Sequence, residues 1–177
     1  MGTGQMLLTI GAVILLGSII ATTDNGINSS GQVLMSTSMG LEEVSLASTI
    51  IQRAEALDFD EKSKDSVQIN SPTQLTAVNS LGYENNDSTD LDDVDDYNGK
   101  PGVNNGYRQE IDTLATGIYY ARTQVHYVSL SNLNANAAIQ TYHKKLDISI
   151  WNKDQADPKT GKPDTLKMST IISYWAF

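Results

Sequence analysis

The chain has 177 residues, a net charge of −9 and no cysteine. The negative charge counts against nucleic-acid backbones as partners. The missing cysteines remove both a disulfide framework and a thiolate nucleophile.

The first element is apolar. Met6 to Ala21 reads MLLTIGAVILLGSIIA, without a charge and with Thr9 and Ser18 as its polar side chains. This is shorter than the roughly 20 residues that span a bilayer, and the neutral flanks from Gly2 to Thr23 close the gap. A cleaved signal peptide, a membrane anchor and an oligomerisation stem all begin this way. The preceding MGTGQ lacks the basic residues of a signal peptide, and Ser18-Ile19-Ile20-Ala21 is a poor cleavage site, so the segment is expected to persist. Thr22 to Gly31 is rich in residues that compete with helix. A break is therefore expected at Asp24, Asn25 and Gly26.

Helical periodicity resumes near Gln32 and runs to about Leu57. Met35, Met39, Leu46, Ile50, Ala54 and Leu57 recur at three- and four-residue steps between polar positions. The two parts predict one interrupted rod of some 50 residues, about 75–80 Å long. Asp58 to Asp65 ends it, so residues 1–57 form a stem and 58–177 a globular domain. Residues 66–105 read as an irregular connection with room for one short strand. This stretch includes an acidic run: Glu84, Asp87, Asp90, Asp92, Asp93, Asp95 and Asp96, with no base among them.

From Tyr107 the pattern is β. Tyr107 to Asp112, Gly117 to Leu130, Thr141 to Trp151 and Thr165 to Trp175 alternate and are rich in Tyr, Ile, Val and Thr. Leu146, Ile148 and Ile150 should face one side, as should Leu166, Met168, Ile172 and Tyr174. Residues 157–163 form a turn-rich connector. The fold class is thus α+β, a long N-terminal helix on a four-stranded antiparallel meander.

Few residues suggest chemistry. The acidic run allows a calcium reading through Asp92, Asp93, Asp95 and Asp96, because Ca²⁺ gathers carboxylate and carbonyl oxygens. It does not fit the EF-hand spacing, since Val94 stands where an Asp is needed. The competing reading is a solvated loop whose Asp and Asn side chains bond nearby N–H groups. His126 and His143 lie in predicted strands and read as strand filler. Asn28-Ser29-Ser30 and Asn86-Asp87-Ser88 are glycosylation-type triplets. No hydrolase motif appears, so the expected chemistry is assembly rather than catalysis.

An apolar helix containing glycine, an amphipathic continuation and an antiparallel sheet together resemble a type IV pilin or pseudopilin. Leu91 to Gly99 (LDDVDDYNG) resembles the D-D-V-D-D-Y-x-G loop of minor pilins of the mannose-sensitive haemagglutinin type. The segment from Leu46 through Phe59-Asp60 is similar to the long helix ending in F-D that precedes it. The resemblance implies a filament subunit at the cell surface, resident in the inner membrane before assembly and handled by pilus or secretion machinery. The assembly residues would be Gln5, Leu7, Leu8, Ile10, Gly11, Val13, Ile14, Gly17 and Ile20. Gln5 stands where pilins usually carry a Glu, and is isosteric but uncharged. The C-terminal disulfide of many pilins is missing, leaving Tyr174, Trp175 and Phe177 to hold that edge. The alternative is a membrane-anchored minor pseudopilin or adhesin-like binding module.

Overall fold

Helix α1 runs from Thr3 to Glu55 in the computed structural model, which describes residues 2–66, 68–83, 91–100, 106–156 and 160–175. Glu84, Asp87, Asp90, the second glycosylation triplet, part of the 157–163 connector and Phe177 lie outside the described residues. By its contacts the chain divides between Gly40 and Leu41. Residues 41–55 of the helix therefore belong with the sheet.

The first unit is helix alone, and every described residue up to Ser38 is exposed. The expected break at Asp24, Asn25 and Gly26 is absent: the backbone is α-helical throughout 22–31. Two local facts account for this. The Thr22 and Thr23 hydroxyls donate back to the carbonyls of Ser18 and Ile19, at 2.8 Å each, instead of diverting the chain. Glycine costs about 1 kcal/mol relative to alanine, too little to end a cooperative helix that continues on both sides.

The second unit holds the sheet. Its strands are β1 (Arg108–Leu114), β2 (Gly117–Ser129), β3 (Asn132–Asn136), β4 (His143–Ala156) and β5 (Pro163–Ser173). The order is β1-β2-β4-β5, antiparallel, with β3 added to the end of β2. The four expected strands are present; the exposed, asparagine-rich β3 was not expected, because it is short and has no β-branched or aromatic residue. Gly117 closes the β1–β2 hairpin at φ 152°, where a side chain would also collide with Asn152.

Inward-facing Tyr119, Ala121 and Val125 of β2 pack with Leu146, Ile148 and Ile150 of β4 and with Ala47, Ile50 and Ala54 of the helix. Leu166, Met168 and Ile172 of β5 border this core, as their alternation requires. Between helix and sheet the chain forms short 3-10 turns at Glu61–Ser66, Pro72–Gln74, Val78–Ser80 and Asp95–Tyr97, and no named strand among the described residues. A second cluster joins this segment to the sheet through Phe59, Ile69, Leu75, Leu81 and Tyr127. Tyr174 holds the C-terminal edge: its ring lies 5.7 Å from that of Phe59 and its hydroxyl accepts the Ile69 N–H. Trp175 does not share that task, being 74% exposed.

Because helix continuity through Gly26 rests on its neighbours, Gly26→Ala should add about 1 kcal/mol of local helix stability. Amide exchange over residues 22–31 in detergent should slow; unchanged or faster exchange would mean that the segment is not helical there.

Candidate functional site

In the described part of the acidic segment, Asp92 is exposed and the expected bonds from Asp side chains to nearby N–H groups are present, but three of the acids are buried rather than solvated. Asp93 and Asp95 are fully buried and Asp96 nearly so. It is built first by local hydrogen bonds. Asp93 Oδ1 accepts the N–H groups of Asp95 (2.8 Å) and Asp96 (3.2 Å), and Asp96 Oδ2 accepts that of Asp92 (2.9 Å). These bonds wind the chain into the 3-10 turn Asp95–Tyr97. The Val94 N–H then donates to Asp58 O at 2.9 Å, fastening the turn to the end of the helix segment. Asn98 finishes the attachment by pairing both ways with the Val125 backbone on β2.

At the centre lies Lys144, the first inward position of β4, with no exposed surface. Its ammonium donates to Phe59 O at 2.6 Å, Asp60 Oδ2 at 2.9 Å and Asp95 Oδ1 at 2.6 Å. The rings of Phe59 and Tyr127 stand 4.6 and 5.4 Å from it. Asp60 is equally buried and also accepts from the Thr76 N–H, the Thr76 hydroxyl, the Lys62 N–H and the Tyr127 hydroxyl. Three stretches of chain thus meet on one nitrogen.

The electrostatics follow from burial. Desolvation would raise Asp60, but the Lys144 charge and the hydrogen bonds from Lys144, Thr76 and Lys62 outweigh it and hold the carboxyl below its usual value. Desolvation raises Asp95, against the pull of Lys144. Asp93 is pushed up to about 9, by burial first and then by the charges of Asp95 and Asp96. The outer oxygens Asp93 Oδ2 and Asp95 Oδ2 are buried and meet no N–H or hydroxyl donor among the described residues. The two carboxyls hydrogen-bond one another, so a proton held on Asp93 satisfies both.

The four calcium candidates therefore have protein partners: Asp93 and Asp96 take backbone N–H groups, Asp95 takes Lys144, and Asp92 takes the ammonium of Lys64. Glu61, Asp92 and Asp93 bring one oxygen each within 4.8 Å of one another. The Lys64 ammonium already pairs with Glu61 and Asp92 of that group. Burial would lower the Lys64 ammonium, but its bonds to Asp92 and Glu61 raise it above its usual value, so it stays charged.

Sequence reasoning missed Lys144, Asp60 and Tyr127. One signal was present: Lys144 has the same strand parity as Leu146, Ile148 and Ile150, so a charge was directed at the core. His126 is half-enclosed near Asp147, and His143 bonds Ser173; both behave as strand residues. On the opposite sheet face, Tyr120 stacks on Trp151 and Arg122 lies over Tyr107. These form a half-buried aromatic strip with the exposed Arg122 rather than core.

The stem residues Leu7, Leu8, Ile10, Val13, Ile14 and Ile20 are each more than half exposed, as uncovered side chains of the first unit. Gln5, Gly11 and Gly17 lie on the same helix, and a Cβ at either glycine would meet nothing within 4 Å.

No family model, curated protein or solved structure matches the chain. Its architecture, a long apolar N-terminal helix with an antiparallel sheet, is pilin-like.

A carboxyl that is protonated when folded and ionised when unfolded makes stability fall as pH rises between its two pKa values. For Asp93 that window runs from its usual value of 3.8 to about 9. Asp60 acts oppositely and costs stability only at acid pH. Asp93→Asn mimics the protonated acid, so thermal melts at increasing pH across this window should decline less than wild type; parallel declines would contradict the assignment. Chelator should leave the wild-type melting temperature unchanged, since protein donors hold these carboxylates. A clear drop would return the loop to the calcium reading.

Proposed function

We propose that this chain is a structural subunit of an extracellular type IV pilus-like filament, anchored in the membrane by the same helix before it polymerises. One observation carries the reading: residues 3–38 are helical and exposed, with large apolar side chains such as Leu8 (76%) and Leu34 (72%) left uncovered. Asp24 is the one charge in that stretch. Apolar surface of this kind gains roughly 25 cal/mol per Å² when it leaves water, so the stem requires lipid, copies of itself, or each in turn. The hydroxyls agree with such a course. Thr9, Ser18, Thr22, Thr23, Ser36 and Thr37 all donate to carbonyls of their own helix, so these six hydroxyl protons do not need water.

Within this reading the partners are identical subunits, the inner membrane and assembly machinery of the pilus or secretion type. Close helix approach would use Gly11 and Gly17, with Leu7, Leu8, Ile10, Val13, Ile14 and Ile20 filling the spaces. Gln5 would offer a neutral amide where a charged residue commonly serves. The sheet would form the outer surface, with the half-buried Tyr120–Trp151 stack on one face. The second reading is a membrane-anchored minor pseudopilin or adhesin-like module. It draws on the same helix, which is long and apolar enough to cross a bilayer once.

The two readings differ at Gly17. A leucine there meets nothing inside the subunit, keeps the stem apolar and obstructs only approach by another helix. Gly17→Leu should retain membrane residence and reduce or abolish fibres in electron micrographs of sheared surface material. Normal fibres from the variant would remove close stem packing from the account, and wild-type cells without fibres would favour the anchored module.

A further inference from the structure

The buried Lys144 site is more than a salt bridge in its layout. It places an amine on a carboxyl, with a second carboxyl on the amine and a third on the first, all out of water. We propose that Lys144 and Asp95 condense to an intramolecular amide, a covalent staple between β4 and the 3-10 turn of the acidic segment.

Position supports the step. Lys144 Nζ lies 2.6 Å from Asp95 Oδ1, so the carboxyl carbon is one bond beyond a hydrogen-bonded contact. Both side chains are excluded from solvent, at 0% and 1% exposure. In water a free ammonium and carboxylate remain hydrated ions; held together without water, they gain proximity and lose the hydration that opposes condensation. Phe59 and Tyr127 wall the nitrogen.

The flanking carboxyls supply proton routes. Asp60, 2.9 Å from Nζ, takes a proton from the ammonium and leaves a neutral amine. Asp93, hydrogen-bonded to Asp95, lends its proton to the Asp95 oxygen that has no other donor. The amine nitrogen attacks the Asp95 carboxyl carbon; the C–N bond forms, the C–O bond to that oxygen breaks, and water leaves. Its oxygen comes from Asp95 and its two hydrogens, in balance, from the ammonium. One hydrogen stays on the amide nitrogen, and Asp60 and Asp93 end in their starting states. No oxidant or co-reactant is required.

Asp95 rather than Asp60 is the electrophile because the oxygens of Asp60 are held by Thr76, Lys62 and Tyr127. Losing one would strand those donors in the interior.

Mass spectrometry tests the proposal on the full-length wild-type chain, purified folded in detergent and then denatured. The peptide map should contain a branched species joining the Lys144 and Asp95 segments, lighter by one water than the two peptides summed. Lys144→Arg should lack it and show both segments at full mass. Asp93→Asn should retain both reacting groups yet accumulate the branched species much more slowly, with the sheet intact by circular dichroism; formation at the wild-type rate would remove Asp93 from the step. Both segments at full mass in folded wild type would overturn the proposal. So would a branch to Asp60, or a water lost from Asp95 without a link to Lys144.

Discussion

A lysine ammonium without access to water must be neutralised where it stands, and in this protein that requirement fixes three stretches of chain at once. Lys144 is carried by β4, Phe59 and Asp60 by the segment leaving the helix, and Asp95 by the acidic turn. A single unpaired ion at this depth would cost several kcal/mol. Each stretch is therefore held by a demand that the others satisfy. The aromatic side chains extend the same constraint: Tyr127 donates to Asp60 and to the Thr76 carbonyl, and Phe59 contacts Tyr174 at the C-terminal edge. The described parts of residues 56–100, which contain short 3-10 turns, are thereby tied to the sheet.

The first unit, Met1–Gly40, has by contrast no interior of its own. The stem offers apolar surface, and nothing in its own unit covers it. Under the filament proposal, the sheet unit would have to stay folded while the stem moves between lipid and neighbouring copies. A polar cluster closed on itself, together with the core of Ala47, Ile50, Tyr119, Leu146 and Ile150, gives the unit stability that does not depend on that transfer.

Much of the architecture was legible from period and composition. The alternation of Leu146, Ile148 and Ile150 and the runs around β2 and β5 reported the sheet, because side chains of period two are sorted by a buried face. The helix break at Asp24 to Gly26 was misread because local propensity is a small energy beside a cooperative helix. Seven acids in thirteen positions suggest water when counted alone, which is why the buried Asp93, Asp95 and Asp96 were misread as solvated. Their burial depends on a lysine 49 residues from Asp95 and on carboxyls that accept backbone N–H groups within their own turn. No local window contains that pairing. Strand parity at Lys144 was the available clue, and it required weighing a charge as a possible core residue rather than as surface.

The central claim is that the Lys144 side-chain nitrogen anchors the acidic turn and the post-helix segment to the sheet. Native-state amide exchange on Lys144→Met tests it directly, since methionine keeps the shape and removes the donor. The account predicts that protection at Val94, Asp95, Asp96 and Thr76 collapses while the β2–β4 ladder around Ile148 remains protected. Unaltered protection at those four amides would show that packing and the Asp58 and Asn98 hydrogen bonds hold the turn without Lys144, and would contradict the account.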